Sequence, residues 1–251
     1  MAFAVIIGSM FTPQSPLEGR NTPAMSMQQL LLDVFTPPKP NLGNFLVGKN
    51  AQVLHSLHAL AQPSPANRLI YLYGPPGCGK SHLLKGAAEL LGAGVLKGAD
   101  RFVFKSATPT LIVDDIDQLT PYSQVQLFNA CNAHLAGEKP VNIVMGSTYH
   151  PAELKIRDDL RTRISAGLCW RVEPLTDEEK FNALQAVARG RGLELSEEVV
   201  EYALRYFQRD MGSLMAVMDG LDRFSLEQHK PVSVHLLRHW MKRRESLVVK
   251  E

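Results

Sequence analysis

The sequence predicts an α/β chain: a parallel sheet covered by helices, followed by a smaller part made of helices alone. Three observations carry this. Short apolar runs of strand length (Leu69-Ile70-Tyr71-Leu72-Tyr73, Leu111-Ile112-Val113, Val141-Asn142-Ile143-Val144-Met145) recur between segments of helical periodicity. Continuous rather than alternating apolarity means strands buried on both faces, and strands alternating with helices make a parallel sheet. Beyond Pro174 no such run appears, and helix-start signals succeed one another instead.

Taken in chain order, Val53, Leu54, Leu57, Leu60 and Ala61 lie on one face of a helix, which Pro63 and Pro65 end. The first strand, ending at Gly74, leads into a helix over residues 80–91 stopped by Gly92, and a further helix over 123–135 separates the second and third strands. In the second part, Thr176 with Glu179 three residues later forms a capping box for a helix running to about Arg191. Ser196, Asp210 and Ser233 are caps for three more, the last reaching about Arg244. This gives an α/β domain over 41–173 and a helical domain over 174–251, with the hinge at Glu173-Pro174.

Composition sets bounds. Lys and Arg total 27 against 25 Asp and Glu, a net charge of +2, which argues against a strongly basic nucleic-acid wrapper. The three cysteines (Cys78, Cys131, Cys169) are far apart and form no Cys-x-x-Cys pair, which excludes a disulfide framework and a zinc module. No apolar run of about 18 residues exists to span a membrane, so the expected location is the cytoplasm. The apolar stretch Met1 to Ile7 lacks the basic start and length of a secretory signal. Residues 1–26 read as a disordered leader, or as sequence upstream of a true start at Met25 or Met27.

Gly74-Pro75-Pro76-Gly77-Cys78-Gly79-Lys80-Ser81 is a complete G-x-x-x-x-G-K-[ST] phosphate loop, placed between a predicted strand and a predicted helix. Its glycines let backbone amides turn towards phosphate oxygens, Lys80 supplies a positive charge, and Ser81 supplies a hydroxyl for Mg2+. Asp114, at the end of the second strand, is the expected metal-holding carboxylate, and Asp115 is a candidate for polarising an attacking water. Cys78 reads as a small loop filler.

These motifs, in this order and followed by a helical lid, resemble the AAA+ superfamily. Within it the chain is similar to the bacterial replication initiator family DnaA and, more closely, to that family's short regulatory branch, the Hda-type inactivators of DnaA. The resemblance runs from Phe45 onward, about four-fifths of the chain. Gly79-Lys80-Ser81-His82-Leu83-Leu84 and Ile112-Val113-Asp114-Asp115-Ile116 carry it most specifically, as the two Walker segments. The resemblance implies ADP or ATP as the bound nucleotide, with Phe45 and Val47 beside the adenine and His82 at the start of the phosphate-loop helix. It also implies Thr148 as the sensor 1 residue and Arg163, within Asp159-Leu160-Arg161-Thr162-Arg163-Ile164, as an arginine finger acting in trans.

One departure stands out. The family's sensor 2 segment aligns with Asp210-Met211-Gly212-Ser213-Leu214, where Gly212 occupies the usual arginine position and leaves Arg205 or Arg209 as substitutes. A missing charge there weakens stabilisation of hydrolysis, so the expected role is an activator of another ATPase rather than an efficient ATPase.

Upstream, in a Pro-bounded arm over 27–40, Gln29-Leu30-Leu31-Leu32-Asp33-Val34-Phe35 has the form of an extended docking peptide. Gln29 would hydrogen-bond, Leu32 and Phe35 would fill pockets, and Leu30 and Val34 would flank them. The bland reading is a short amphipathic helix packed on the core. Beside a DnaA-like module, the segment resembles the sliding-clamp-binding motif of bacterial replication proteins.

The expectation is therefore a negative regulator of replication initiation. Its partners would be DnaA and the DNA polymerase III sliding clamp (the β subunit), with DNA reached only through the clamp and homo-oligomerisation left open. The sequence after the lid holds no helix-turn-helix domain and the insert before Asp114 is short, both against direct DNA binding. The Lys242-Arg243-Arg244 cluster reads as a solvated helix end. An autonomous ATPase acting as a helicase or clamp loader is the alternative, supported by the complete Walker pair.

Overall fold

The computed structural model of the protein describes residues 39–63, 68–105, 107–136, 141–207 and 210–248. The leader and the arm residues Gln29, Leu30, Leu32, Val34 and Phe35 lie outside these, as does Arg209. Five strands, β1 (Leu69–Tyr73), β2 (Val95–Lys97), β3 (Thr110–Asp114), β4 (Asn142–Ser147) and β5 (Leu168–Arg171), form one parallel sheet in the order β2-β3-β4-β1-β5. Helices α1 (Ala51–Ala59), α2 (Lys80–Leu90), α3 (Pro121–Ala136) and α4 (Asp158–Ser165) belong to this part. Helices α5 (Asp177–Gly190), α6 (Glu197–Tyr206), α7 (Met211–Gln228) and α8 (Val234–Val248) make up the rest.

Alternation along the strands sorts the core into two layers. Leu69, Tyr71, Leu111, Val113, Ile143 and Met145 face α3 and α4, joining Leu127, Leu160 and Ile164. Ile70, Leu72, Ile112 and Val144 face the other way, joining Leu57 of α1 and Leu83, Leu84 and Ala87 of α2. A third cluster, including Leu184, Val200, Leu214, Leu221 and Leu237, belongs to the lid helices alone. Among the described residues no helix is long and apolar enough to cross a membrane.

The capping box opening α5 has both halves: Thr176 Oγ1 accepts from Glu179 N at 3.1 Å, and Glu179 Oε2 accepts from Thr176 N at 2.7 Å. The Thr176 N–H, and after it the Thr176 hydroxyl, donate to the Glu179 carboxylate and hold it below its ordinary value. Asp210 caps α7 by accepting from Ser213 N at 2.9 Å, whereas Ser196 precedes α6 without a side-chain capping bond. Three elements lie outside the sequence expectation. Strand β2 is only three residues long, β5 is a half-buried edge strand, and α4 is an eight-residue helix buried only through Leu160 and Ile164.

A strap over residues 41–45 runs across α2 before α1 begins. Asn41 and Asn44 cap its 3-10 turn reciprocally, and Leu42 is buried against α2 at Gly86. A Cβ at Gly86 would lie 2.7 Å from Leu42 Cδ2, 2.8 Å from Leu42 N and 2.9 Å from Asn41 C, so the obstacle is largely backbone. Gly to Ala in an unobstructed helix stabilises by about 0.8–1.0 kcal/mol. We expect the opposite sign for Gly86→Ala: a lower melting temperature by circular dichroism, because the strap must lift. A rise in melting temperature would contradict this packing.

Candidate phosphate-binding site at the strand ends

Because every strand runs the same way, the C-terminal ends of β1, β2, β3 and β4 meet along one rim. The loop from Gly74 to Gly79 leaves β1 there and turns into α2. Gly77 (φ 76°) and Gly79 (φ 104°) hold backbone conformations that other residues rarely adopt. Space forbids a side chain at both: a Cβ on Gly77 would lie 2.7 Å from Asp210 Cβ, and one on Gly79 would lie 2.7 Å from the Phe45 ring. Gly79 also supplies no side-chain cap to α2, so the amides of its first turn stay available to an anion.

Lys80 is buried, and its Nζ donates to Gly74 O at 2.7 Å and Pro75 O at 2.9 Å, which holds the charge inside the loop. Cys78 is buried in the α2-side core, with its Sγ 3.7 Å from Lys80 Nζ, as a filler of the loop. Pro75 and Pro76 are exposed on its outer side. Burial keeps the other thiols neutral, Cys131 being pushed up to about 12 and Cys169 raised.

Ser81 Oγ donates to Asp114 Oδ2 at 2.7 Å, joining the first turn of α2 to the end of β3. Asp114 is almost fully buried, with 1 % of its side chain exposed. Leu84 and Asp114 both press on Gly146 of β4, where a Cβ would meet them at 2.7 and 3.1 Å. Asp115 follows in the left-handed region (φ 55°) and is partly exposed.

A lysine that sequence reasoning did not single out completes this group. Lys97 Nζ lies 2.7 Å from Asp114 Oδ2 and 3.1 Å from Asp115 Oδ2. The hydrogen bond to Asp114 raises the Lys97 pKa, with burial opposing and Asp115 adding. The signal available in the sequence was faint: one lysine closing the short run Val95-Leu96 before Gly98.

Phe45 stands edge-on to His82, ring centroids 5.5 Å apart, and covers the Gly79 corner of the loop. His82 Nε2 lies 2.9 Å from Asn41 O and 2.8 Å from Asn44 Oδ1, which fixes the strap to α2. Val47 is exposed, just before Gly48, where a Cβ would lie 2.8 Å from Leu175 at the base of the lid. Asn50 completes that junction: its amide donates to Glu173 O at 2.9 Å and accepts from Glu173 N at 2.8 Å.

At the end of β4 the buried polar residue is Ser147, whose Oγ donates to Asp117 Oδ1 at 2.5 Å. Thr148, expected as sensor 1, is the next residue and exposed, beyond the strand end. Gly212 lies in the first turn of α7, whose cap Asp210 abuts the phosphate loop at Gly77, while the Arg205 guanidinium sits over the Tyr206 ring. Arg163 is away from this group, exposed on α4.

The donor set fits a small hard cation with phosphate oxygens: one hydroxyl and one carboxylate converge, and Mg2+ is commonly held by one or two carboxylates plus substrate phosphates. Among the described residues no cluster of three or more His, Cys, Asp or Glu would hold a metal unaided.

Comparison with known proteins agrees with this geometry. Residues 177–241 match the family model described as "Hda, lid domain". Domain III of the Thermotoga maritima replication initiation protein DnaA superposes with a TM-score of 0.66, at 21 % identity, over 82 % of this chain and 98 % of that one. AMPPCP-bound DnaA from Aquifex aeolicus gives 0.60 at 22 % identity, over 75 % of this chain and 66 % of that one. A variant of Thermotoga maritima RuvB gives 0.64 at 18 % identity, over 81 % and 71 %. Sheet order, phosphate loop and lid thus agree: residues 177–241 match the Hda lid-domain model, and the chain has the fold of the DnaA and RuvB structures.

Proposed function

We propose that the chain is a nucleotide-holding negative regulator of replication initiation, docking on the DNA-loaded sliding clamp and stimulating ATP hydrolysis by DnaA. The observation that carries the reading is the setting of Arg163. Its neighbours Arg157 and Arg161 are each paired with an aspartate of the first turn of α4, at 2.5 Å to Asp159 and 2.6 Å to Asp158. Arg163 is exposed and has no ion-pair partner among the described residues. Helix α4 is seated by Leu160 and Ile164 on the sheet face opposite α2, away from the chain's own phosphate loop, which supports a role for the exposed Arg163 towards a neighbour.

In this reading Gly77, Gly79, Lys80 and Ser81 hold the phosphates of ADP or ATP, and Phe45 and Val47 border the base. Mg2+, when bound by Ser81 and Asp114, supplies charge neutralisation at those phosphates. Arg163 enters the ATP site of an adjacent initiator and stabilises the charge developing on the transferring phosphoryl group. An arginine supplied in trans is worth about 10³–10⁵ in rate in nucleotide-hydrolysing families. The product is initiator in its ADP form.

The deciding experiment follows hydrolysis of ATP prebound to the initiator on clamp-loaded DNA. Wild type accelerates it, and Arg163→Ala leaves the initiator at its basal rate. No acceleration by wild type, with initiator and clamp competent, removes the reading and favours the autonomous ATPase that the Ser81–Asp114 pair also supports. Gln29→Ala combined with Phe35→Ala is expected to abolish clamp binding in a pull-down while leaving nucleotide affinity unchanged; retained clamp binding would exclude the arm. For Lys80→Ala we expect loss of the nucleotide-induced rise in melting temperature, and an undiminished rise would mean that the loop does not bind phosphate.

A further inference from the structure

We propose that Lys97 is a resident cation of the phosphate site, competing with divalent metal for Asp114, so that the chain holds a nucleoside diphosphate without needing metal. The inference rests on the phosphate-site reading and adds to it. Asp114 Oδ2, the oxygen bonded to Ser81 Oγ at 2.7 Å, is also the one that receives Lys97 Nζ at 2.7 Å. Hydroxyl, carboxylate and ammonium therefore converge on a single atom, and Asp115 closes the group at 3.1 Å. A divalent ion bound to that oxygen must displace the ammonium or stand beside it, and either costs affinity because like charges repel. The ammonium already supplies what a metal supplies to a diphosphate, namely positive charge next to the first turn of α2.

The position of Lys97 follows from backbone pairing. In the β2–β3 register Lys97 is the partner of Asp114, so both side chains leave the sheet on the α2 face, where Ser81 lies. Three further contacts fix the end of β2. Gly98 N donates to Asp114 O at 2.7 Å, and Lys97 N donates to Asp100 Oδ2 at 3.0 Å. At Gly98 a Cβ would lie 1.9 Å from Asp115 O, so β2 and β3 close to a distance that only glycine permits. The lysine stem, about half exposed, enters from the solvent side and brings its charge onto a carboxylate that is 1 % exposed.

The test is ADP binding by titration calorimetry to the full chain, with Mg2+ or with EDTA. Wild type is expected to keep its affinity within about threefold when metal is removed, whereas Lys97→Met becomes dependent on Mg2+ by about tenfold or more. Lys97→Arg, which retains the charge, follows wild type. Melting curves establish that each variant is folded, and Lys97→Gln replaces Lys97→Met if the latter is not. A tenfold or greater loss of wild-type affinity in EDTA, or a neutral variant as indifferent to metal as wild type, overturns the proposal and leaves the phosphate site standing. Absence of ADP binding by wild type in both buffers overturns the phosphate site itself, and this inference with it.

Discussion

The constraint on which the rest depends is that all five strands run in one direction. A parallel sheet must bury both faces, so its strands carry apolar residues along their length and polar chemistry can appear only where they end. Here those ends share one rim, and Gly74, Lys97, Asp114 and Ser147 each lie at or just past the last residue of a strand. Residues separated by tens of positions in sequence become neighbours without any loop having to search for them. The strand order adds a second consequence. Strand β4 lies between β1 and β3, so the phosphate loop reaches Asp114 across Gly146, the residue small enough to let α2 and Asp114 approach together.

Much of this was legible in the sequence, for identifiable reasons. The phosphate loop announces itself because its conformation demands glycine at set positions, and the strand before it because double burial leaves an unbroken apolar run. The α5 start was readable because a capping box is a local device confined to four residues. Strand β2 was not readable: three residues at an edge, two of them half-buried, carry too little pattern. Strand β5 fails for a similar reason, as an edge strand with no fully buried residue. Lys97 is a different kind of omission, since its importance comes from pairing with Asp114, and register between non-adjacent segments is a tertiary fact. The polar group at the end of β4 turns on one position, because neighbours in a strand face opposite ways. Ser147 points towards Asp117, while Thr148 has left the ladder.

The strap and the lid constrain the site from outside the sheet. Phe45 blocks the Gly79 corner, Asp210 blocks Gly77, and Leu175 meets Gly48, so three glycines mark the places where separate segments come closer than any side chain would allow. Such contacts make the mouth of the loop sensitive to where the lid rests. They also explain why α7 begins with a side-chain cap of its own: Asp210 is held by Ser213 N as it presses on the loop. An uncapped end there would leave the close approach to Gly77 resting on a frayed turn.

Asn50 adds a mechanical property to this arrangement. One planar amide grips both the N–H and the C=O of Glu173, as a strand would grip its neighbour, although neither residue is in a strand. A single hydrogen bond acts as a ball joint and permits twisting as freely as bending. Two bonds from one rigid plane resist torsion, because they hold the two peptide groups on either side of the Glu173 Cα, and twisting the backbone there strains both. The segment entering the lid is thereby given an axis: it can flex beyond Glu173, but it cannot corkscrew there without giving up both bonds.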